Sequence, residues 1–172
     1  MERHRAQERD ACGIGFVADP RGTTRRDVVE LALQALARVR HRGATAADAR
    51  TGDGAGILLA IPRALLAAEL AGPAMRRAGI DASDAGRIGL AMLFDRSDDP
   101  VAVRRTVEEA CRAERIAVAG WRTVPTDPSA LGWVARRSLP RITQAVLVRP
   151  WGSDRQADRA AFRARRRAEA AL

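Results

Sequence analysis

Short apolar runs alternate along this chain with segments of helical period, and that alternation restricts it to helices layered on a sheet. Residues 87–94 (RIGLAMLF) read as a strand, and Asp95 to Pro100 turns the chain. Residues 101–114 (VAVRRTVEEACRAE) then place Val103, Val107, Ala110 and Cys111 on one helical face. Residues 115–124 return to strand and stop at Pro125, residues 142–149 (ITQAVLVR) make another, and the stretch from Asp154 is helical in pattern. Upstream, residues 12–18 (CGIGFVA) read as a buried strand closed by the turn Asp19-Pro20-Arg21-Gly22. Thr24 offers an N-cap for a helix over about 25–40, with Val28, Leu31, Ala32, Ala35, Leu36 and Val39 along one face. Residues 43–56 read as a loop, residues 57–61 (ILLAI) as a strand, and Pro62 opens a short helix to about Ala71, broken by Gly72-Pro73. Residues 73–86 read as irregular or weakly helical. The expected class is α/β (α+β layered), and periodicity leaves open whether the strands run parallel or antiparallel.

The length of 172 residues favours one domain. Three Phe, three Trp and no Tyr mean that the core is built from Ala, Val, Leu and Ile. All 30 basic residues are Arg and the net charge is +9. Such a balance invites a nucleic-acid partner, but the charge is spread along the chain and no stacking platform or reader motif accompanies it. Seven Arg against three acidic residues in 149–172 read as a solvated helix face. No apolar run is long enough to span a bilayer, and Met1 to Ala11 has no hydrophobic centre, so neither membrane nor secretory targeting is expected. Two cysteines, Cys12 and Cys111, make neither a disulfide framework nor a metal site, and a cytoplasmic setting fits them.

Three local patterns carry candidate chemistry. In Cys12-Gly13-Ile14-Gly15 the glycines permit backbone to approach a thiol closely, although a small buried cysteine in a strand explains the same residues. A cysteine at a new N-terminus would have its own α-amine as base, so it would need no histidine. His41-Arg42-Gly43 closes the first helix; Arg42 complements the helix dipole and Gly43 serves as a C-cap, or Arg42 folds back to support the nucleophile. Thr51-Gly52-Asp53-Gly54-Ala55-Gly56 precedes a strand and carries no Lys, so it is a tight loop for close backbone approach rather than a phosphate cradle.

Taken together, Cys12-Gly13-Ile14-Gly15-Phe16, His41-Arg42-Gly43-Ala44 and Thr51-Gly52-Asp53-Gly54-Ala55-Gly56-Ile57, with Ile61-Pro62, closely resemble the start of the glutamine amidotransferase domain of glutamate synthase large subunits. Weaker likeness continues through Gly120-Trp121-Arg122-Thr123-Val124-Pro125, Leu131-Gly132 and Pro140-Arg141-Ile142-Thr143-Gln144. The resemblance implies a class II, N-terminal-nucleophile amidotransferase and an incomplete αββα sandwich. It implies a leader over 1–11 and the amidotransferase part over 12–172. Cys12 would be the nucleophile toward glutamine, Arg42 and Gly43 the supporting loop, and Asp53 and Gly54 loop-shaping residues. No metal or cofactor is expected in this chain. The family's flavin (FMN) and iron–sulfur cluster would belong to the rest of the synthase polypeptide, which works with a small reductive subunit or ferredoxin.

Parts of the family's glutamine pocket are not in these residues. There is no His-x-Arg-Phe-Ser-Thr segment to grip the substrate carboxylate, and the chain has no Asn for the family's Asn-Gly oxyanion pair. One oxyanion donor is worth about 2.7–4 kcal/mol of transition-state stabilisation. The expectation is a piece of a larger enzyme, poorly active alone; the alternative is a non-catalytic remnant of the same fold. Uncovered sheet faces and unpaired strand edges are expected to make the isolated chain prone to associate.

Overall fold

The computed structural model describes residues 13–23, 25–39, 46–52, 54–70, 86–149 and 153–172. In chain order these form α1 (Arg26–Arg38), α2 (Arg63–Leu70), β1 (Ile88–Asp95), α3 (Pro100–Ala113), β2 (Ala117–Thr123), a 3₁₀ turn (Pro128–Ala130), α4 (Trp133–Arg137), β3 (Arg141–Val148) and α5 (Asp154–Ala171). They divide into two compact units. One draws on Met1–Leu59 and Pro128–Ser138, the other on Ala60–Asp127 and Leu139–Leu172.

The second unit is the expected mixed helix and strand layering, and its sheet is antiparallel. β3 is central, and its order is β1-β3-β2. It pairs with β1 from Ile88↔Val148 to Asp95↔Arg141, and with β2 from Ala117↔Val148 to Thr123↔Thr143. A bulge between Val118 and Gly120 leaves Ala119 without a partner position in β3. Because side chains alternate, each strand offers two faces. On one face Ala145 and Leu147 of β3 lie with Ala91, Leu93, Val118 and Trp121, and pack against Val107, Ala110 and Cys111 of α3 and Ala160, Ala164 and Ala168 of α5. Ala145 and Val146, on opposite faces, are both fully inaccessible to solvent. On the opposite face Ile88, Ala119, Val146 and Val148 pack with Leu66 of α2, Ile61 and Leu90. That cover stops short: Met92 and Phe94, further along β1, are 45% and 66% exposed.

Local chemistry explains the helices. Asp99 accepts hydrogen bonds from Val101 N and Ala102 N at 3.0 and 2.9 Å, with Pro100 in the first helical turn, so α3 begins at a capped proline. Its end is a Schellman motif: Ile116 N donates to Cys111 O at 2.9 Å and Arg115 N to Arg112 O at 3.0 Å, while Arg115 takes φ +58°. α5 starts on a capping box between Ser153 and Gln156. Its buried stripe is Ala157, Ala160, Ala164 and Ala168, small side chains that let its backbone lie close to α3. Glu114, past the end of α3, accepts from Arg163 Nε at 2.7 Å and Arg167 Nε at 3.0 Å, one turn apart on α5. These contacts hold the Glu114 carboxyl below its ordinary pKa, with the Arg163 hydrogen bond the main cause. Trp121 Nε1 donates to Glu108 Oε1 at 2.7 Å, tying β2 to α3.

The segments before α2 depart from the sequence expectation. Residues 13–18 and 57–61 are not strands. A strand exists through its ladder, and neither segment pairs with one among the described residues, so Ile14, Phe16 and Leu58 are 98%, 94% and 100% exposed. The turn Asp19-Pro20-Arg21-Gly22 forms as expected. Gly22 N donates to Asp19 O at 3.0 Å, and Gly22 takes φ +67°, which its missing Cβ permits. α1 falls within the expected range, but its N-cap is Arg25 rather than Thr24, and its side chain makes no capping bond. Thr24 itself lies outside the described residues. The short helix α4 and the 3₁₀ turn before it carry too few residues for a periodic signal.

Candidate functional site

Cys12, Arg42 and Gly43, the residues singled out by sequence, lie outside the described residues, as do His41 and Asp53. The structure describes the segments that flank them. After Cys12, the chain runs without regular structure to the Asp19 turn. There the Asp19 carboxylate accepts from Arg21 N and Arg21 Nε at 3.0 Å each and from Thr23 Oγ1 at 2.7 Å. Those bonds, Arg21's side chain foremost, lower the Asp19 pKa.

The loop after Gly43 is organised by Asp48. Its Oδ1 accepts from Thr51 N at 2.7 Å and Arg50 N at 3.1 Å, an Asx turn. Its Oδ2 accepts from Thr51 Oγ1 at 2.6 Å and, across 86 residues of sequence, from Val134 N at 3.2 Å. Thr51 Oγ1 in turn accepts from Ala135 N at 3.3 Å. The loop is closed on itself by Ala46 N to Thr51 O at 2.7 Å and Ala49 N to Ala46 O at 2.9 Å, which holds Ala49 at φ +55°.

Val134 and Ala135 are the second and third residues of α4, whose N-cap is Gly132 with no capping side chain. Asp48 and Thr51 therefore supply from a distance the cap that the local sequence lacks. Gly132 is obligatory for this contact: a Cβ there would overlap Asp48 Oδ2, Thr51 Oγ1 and Thr51 N. Arg50 Nη2 and Arg136 Nη2 both donate to Ser129 O at 3.1 Å, adding a second tie. Four donors keep the Asp48 carboxylate far below the ordinary range, with the Thr51 hydroxyl the largest cause.

A close backbone approach joins the start of the Thr51–Gly56 loop to Gly132, whose would-be Cβ would overlap Thr51 N. Gly15, Gly54 and Gly56 have nothing within 4 Å of a would-be Cβ. Asp48 was not singled out by sequence. Its signal is Asp48-Ala49-Arg50-Thr51, the spacing of a carboxylate that caps its own loop. No group of three or more His, Cys, Asp or Glu among the described residues could hold a metal ion. Cys111 is 4% exposed, and burial pushes its thiol pKa up, so it is a core side chain. No helix among the described residues is long and apolar enough to cross a membrane.

Comparison with known proteins places this frame in context. The family model "Glutamine amidotransferases class-II" matches residues 12–172. Ferredoxin-dependent glutamate synthase 2 of Synechocystis is 41% identical over 149 residues, 85% of this chain and 9% of the relative. The glutamate synthase [NADPH] large chain of Bacillus subtilis is 34% identical over 142 residues, 81% of this chain and 9% of the relative. The corresponding large chain of Azospirillum brasilense is 37% identical over 168 residues, 96% of this chain and 11% of the relative. The chain spans about a tenth of the length of these curated relatives.

Proposed function

The chain belongs to the class II glutamine amidotransferases, and we propose that it is the ammonia-releasing part of a glutamate synthase with Cys12 as nucleophile. The observation that carries this reading is that the family match begins at Cys12 itself. The Cys12 thiolate attacks the side-chain amide carbon of glutamine. The resulting C–N cleavage releases ammonia, which takes its proton from the Cys12 α-ammonium, and leaves a glutamyl thioester. Water, giving a proton to the α-amine, adds to the thioester. Cleavage of the C–S bond then yields glutamate and restores the thiolate. This requires removal of Met1 to Ala11, because only a terminal Cys12 has a free amine. Arg42 and Gly43 support the nucleophile.

We place the flavin and iron–sulfur groups of the whole synthase in the rest of that polypeptide. Cys12 and Cys111 are the only two thiols, whereas an iron–sulfur cluster takes about four ligands, mostly Cys thiolates. Ammonia would pass to the remaining synthase polypeptide, which draws electrons from ferredoxin or a small reductive subunit. A cytoplasmic setting suits that chemistry.

Intact-mass spectrometry of the expressed chain tests the reading: Met1 to Ala11 should be missing. Persistence of Met1 would sink it and leave the second reading, a non-catalytic remnant. Ammonia release from glutamine by the isolated chain is expected to match that of Cys12→Ala, because the carboxylate clamp and oxyanion donor are not among these residues.

A further inference from the structure

We propose that the outward ridge of α5 docks an acidic protein surface, with carboxylates against Arg155 and Arg159 and an apolar side chain against Phe162. The inference does not depend on the role of Cys12. Ala157, Ala160, Ala164 and Ala168 are the buried stripe of α5, and the last three pack with α3 and the sheet. Arg155, Arg159, Phe162 and Arg166 recur at i, i+4, i+7 and i+11. Each stands two residues from a member of the stripe, about 200° round the helix. Together they form the crest that faces away from the core. Phe162 is the single aromatic residue of α5, and on this crest it is 58% exposed.

An exposed Phe is ordinary on a protein surface, but the charges around this one are not balanced. Arg163 and Arg167 share Glu114, and Arg165 and Arg166 share Glu169. Arg155 and Arg159 pair with no acid among the described residues, although Asp158 lies between them in sequence. With Asp158 and Arg163, these two arginines and Phe162 line a shallow recess on the helix surface. The Arg165 guanidinium sits over the Phe162 ring, 5.5 Å from its centre, so positive charge lies before and after the ring along the helix. The complement of such a ridge is an acidic surface with an apolar group among its carboxylates. Two copies of the ridge would bring like charges together. One apolar side chain is too little to enter a lipid surface. A phosphate chain would find one ring to stack on and would meet Asp158 and Glu169 on the flanks. A protein partner can set cations opposite those two acids, which neither a phosphate chain nor an anionic lipid surface can do.

The test measures binding of the full chain to fluorescein-labelled poly(Glu,Tyr), an acidic copolymer with apolar rings, by fluorescence anisotropy. Arg155→Ala/Arg159→Ala and, at unchanged charge, Phe162→Ala should each weaken binding about fivefold or more. Arg96→Ala/Arg137→Ala removes the same two charges from outside α5 and should weaken it less than about twofold. The α5 substitutions fall on exposed side chains and alanine favours helix, so the far-ultraviolet circular dichroism should not change. If it does, Arg155→Gln/Arg159→Gln and Phe162→Leu are judged by the same ratios. Failure of poly(Glu,Tyr) to bind overturns the inference. So does a loss as large in the control pair, or none with Phe162→Ala, because the attraction is then general charge. Oligouridylate and phosphatidylserine vesicles are run beside it, and a larger loss for either in the α5 variants overturns the choice of a protein partner. A dimer seen in sedimentation and dissolved by Phe162→Ala would give the ridge to a second copy and overturn it equally.

Discussion

Replacing Arg115 by glycine should leave the protein more stable than replacing it by alanine. Arg115 follows α3 at φ +58°, in the position that closes the Schellman motif through Ile116 N to Cys111 O. An L-residue with a Cβ in that region costs about 1–2 kcal/mol. Glycine removes that cost but gains back about 0.4–1 kcal/mol of unfolded-state freedom. The net for Arg115→Gly against Arg115→Ala is therefore about 0.5–1 kcal/mol in favour of glycine. Alanine is the proper reference, because both variants lose any attraction between the Arg115 charge and the C-terminal end of the helix. For a chain of this length that difference corresponds to about 1–4 °C in melting temperature. Thermal unfolding followed by far-ultraviolet circular dichroism, with urea midpoints as a second measure, reads it directly. Equal or lower stability of the glycine variant would refute the reasoning, since nothing except the left-handed backbone separates the two substitutions.

Three further outcomes follow from the second unit. Leu66 is 2% exposed and seats α2 on the sheet beside Ile88 and Val146; Leu66→Ala should cost about 2.5–4 kcal/mol, and a urea-derived loss below about 1 kcal/mol would show that α2 is not anchored there. Ala164 lies 4% exposed on the stripe of α5 that meets α3; Ala164→Leu should cost about 1–3 kcal/mol through overpacking, and an unchanged melting temperature would contradict the close approach. The Glu114 carboxyl has a lowered folded-state pKa, so its contribution is complete above the unfolded-state value and is lost as pH falls through the folded one. The stability gap between the native protein and Glu114→Gln should accordingly be widest near neutral pH and close below about pH 4.5. A gap that does not change with pH would dismiss the ion pairs to Arg163 and Arg167.

What sequence could show depended on how local the cause was. The sheet strands around Leu90, Val118 and Val146 and the helices holding Val107 and Ala160 are set by periodicity within one segment, and they formed within a residue or two of the expected bounds. Antiparallel pairing could not be read, because it depends on which distant strand β3 lies beside. The runs at 13–18 and 57–61 have strand composition, yet strand structure requires a partner that composition does not specify. α4 is only five residues long and takes its cap from Asp48, so neither length nor a neighbouring side chain announces it. The family was legible from motif spacing, whereas Cys12, Arg42 and Gly43 lie outside the described residues.

The central place of β3 has a consequence for how the protein comes into being. Among the described residues β1 and β2 pair only with β3, the last of the three strands described. No early hairpin can form between them. The nearest rung joining β1 to its partner, Asp95 to Arg141, closes a loop of 46 residues. Such non-local closure slows folding. During synthesis the apolar run Ile88–Phe94 must emerge and wait without a partner until Arg141–Val148 follows it. That interval is when this chain is most open to mispairing with other strands. Substitutions in β3 should therefore act on yield and folding rate more strongly than their cost to the finished structure would indicate.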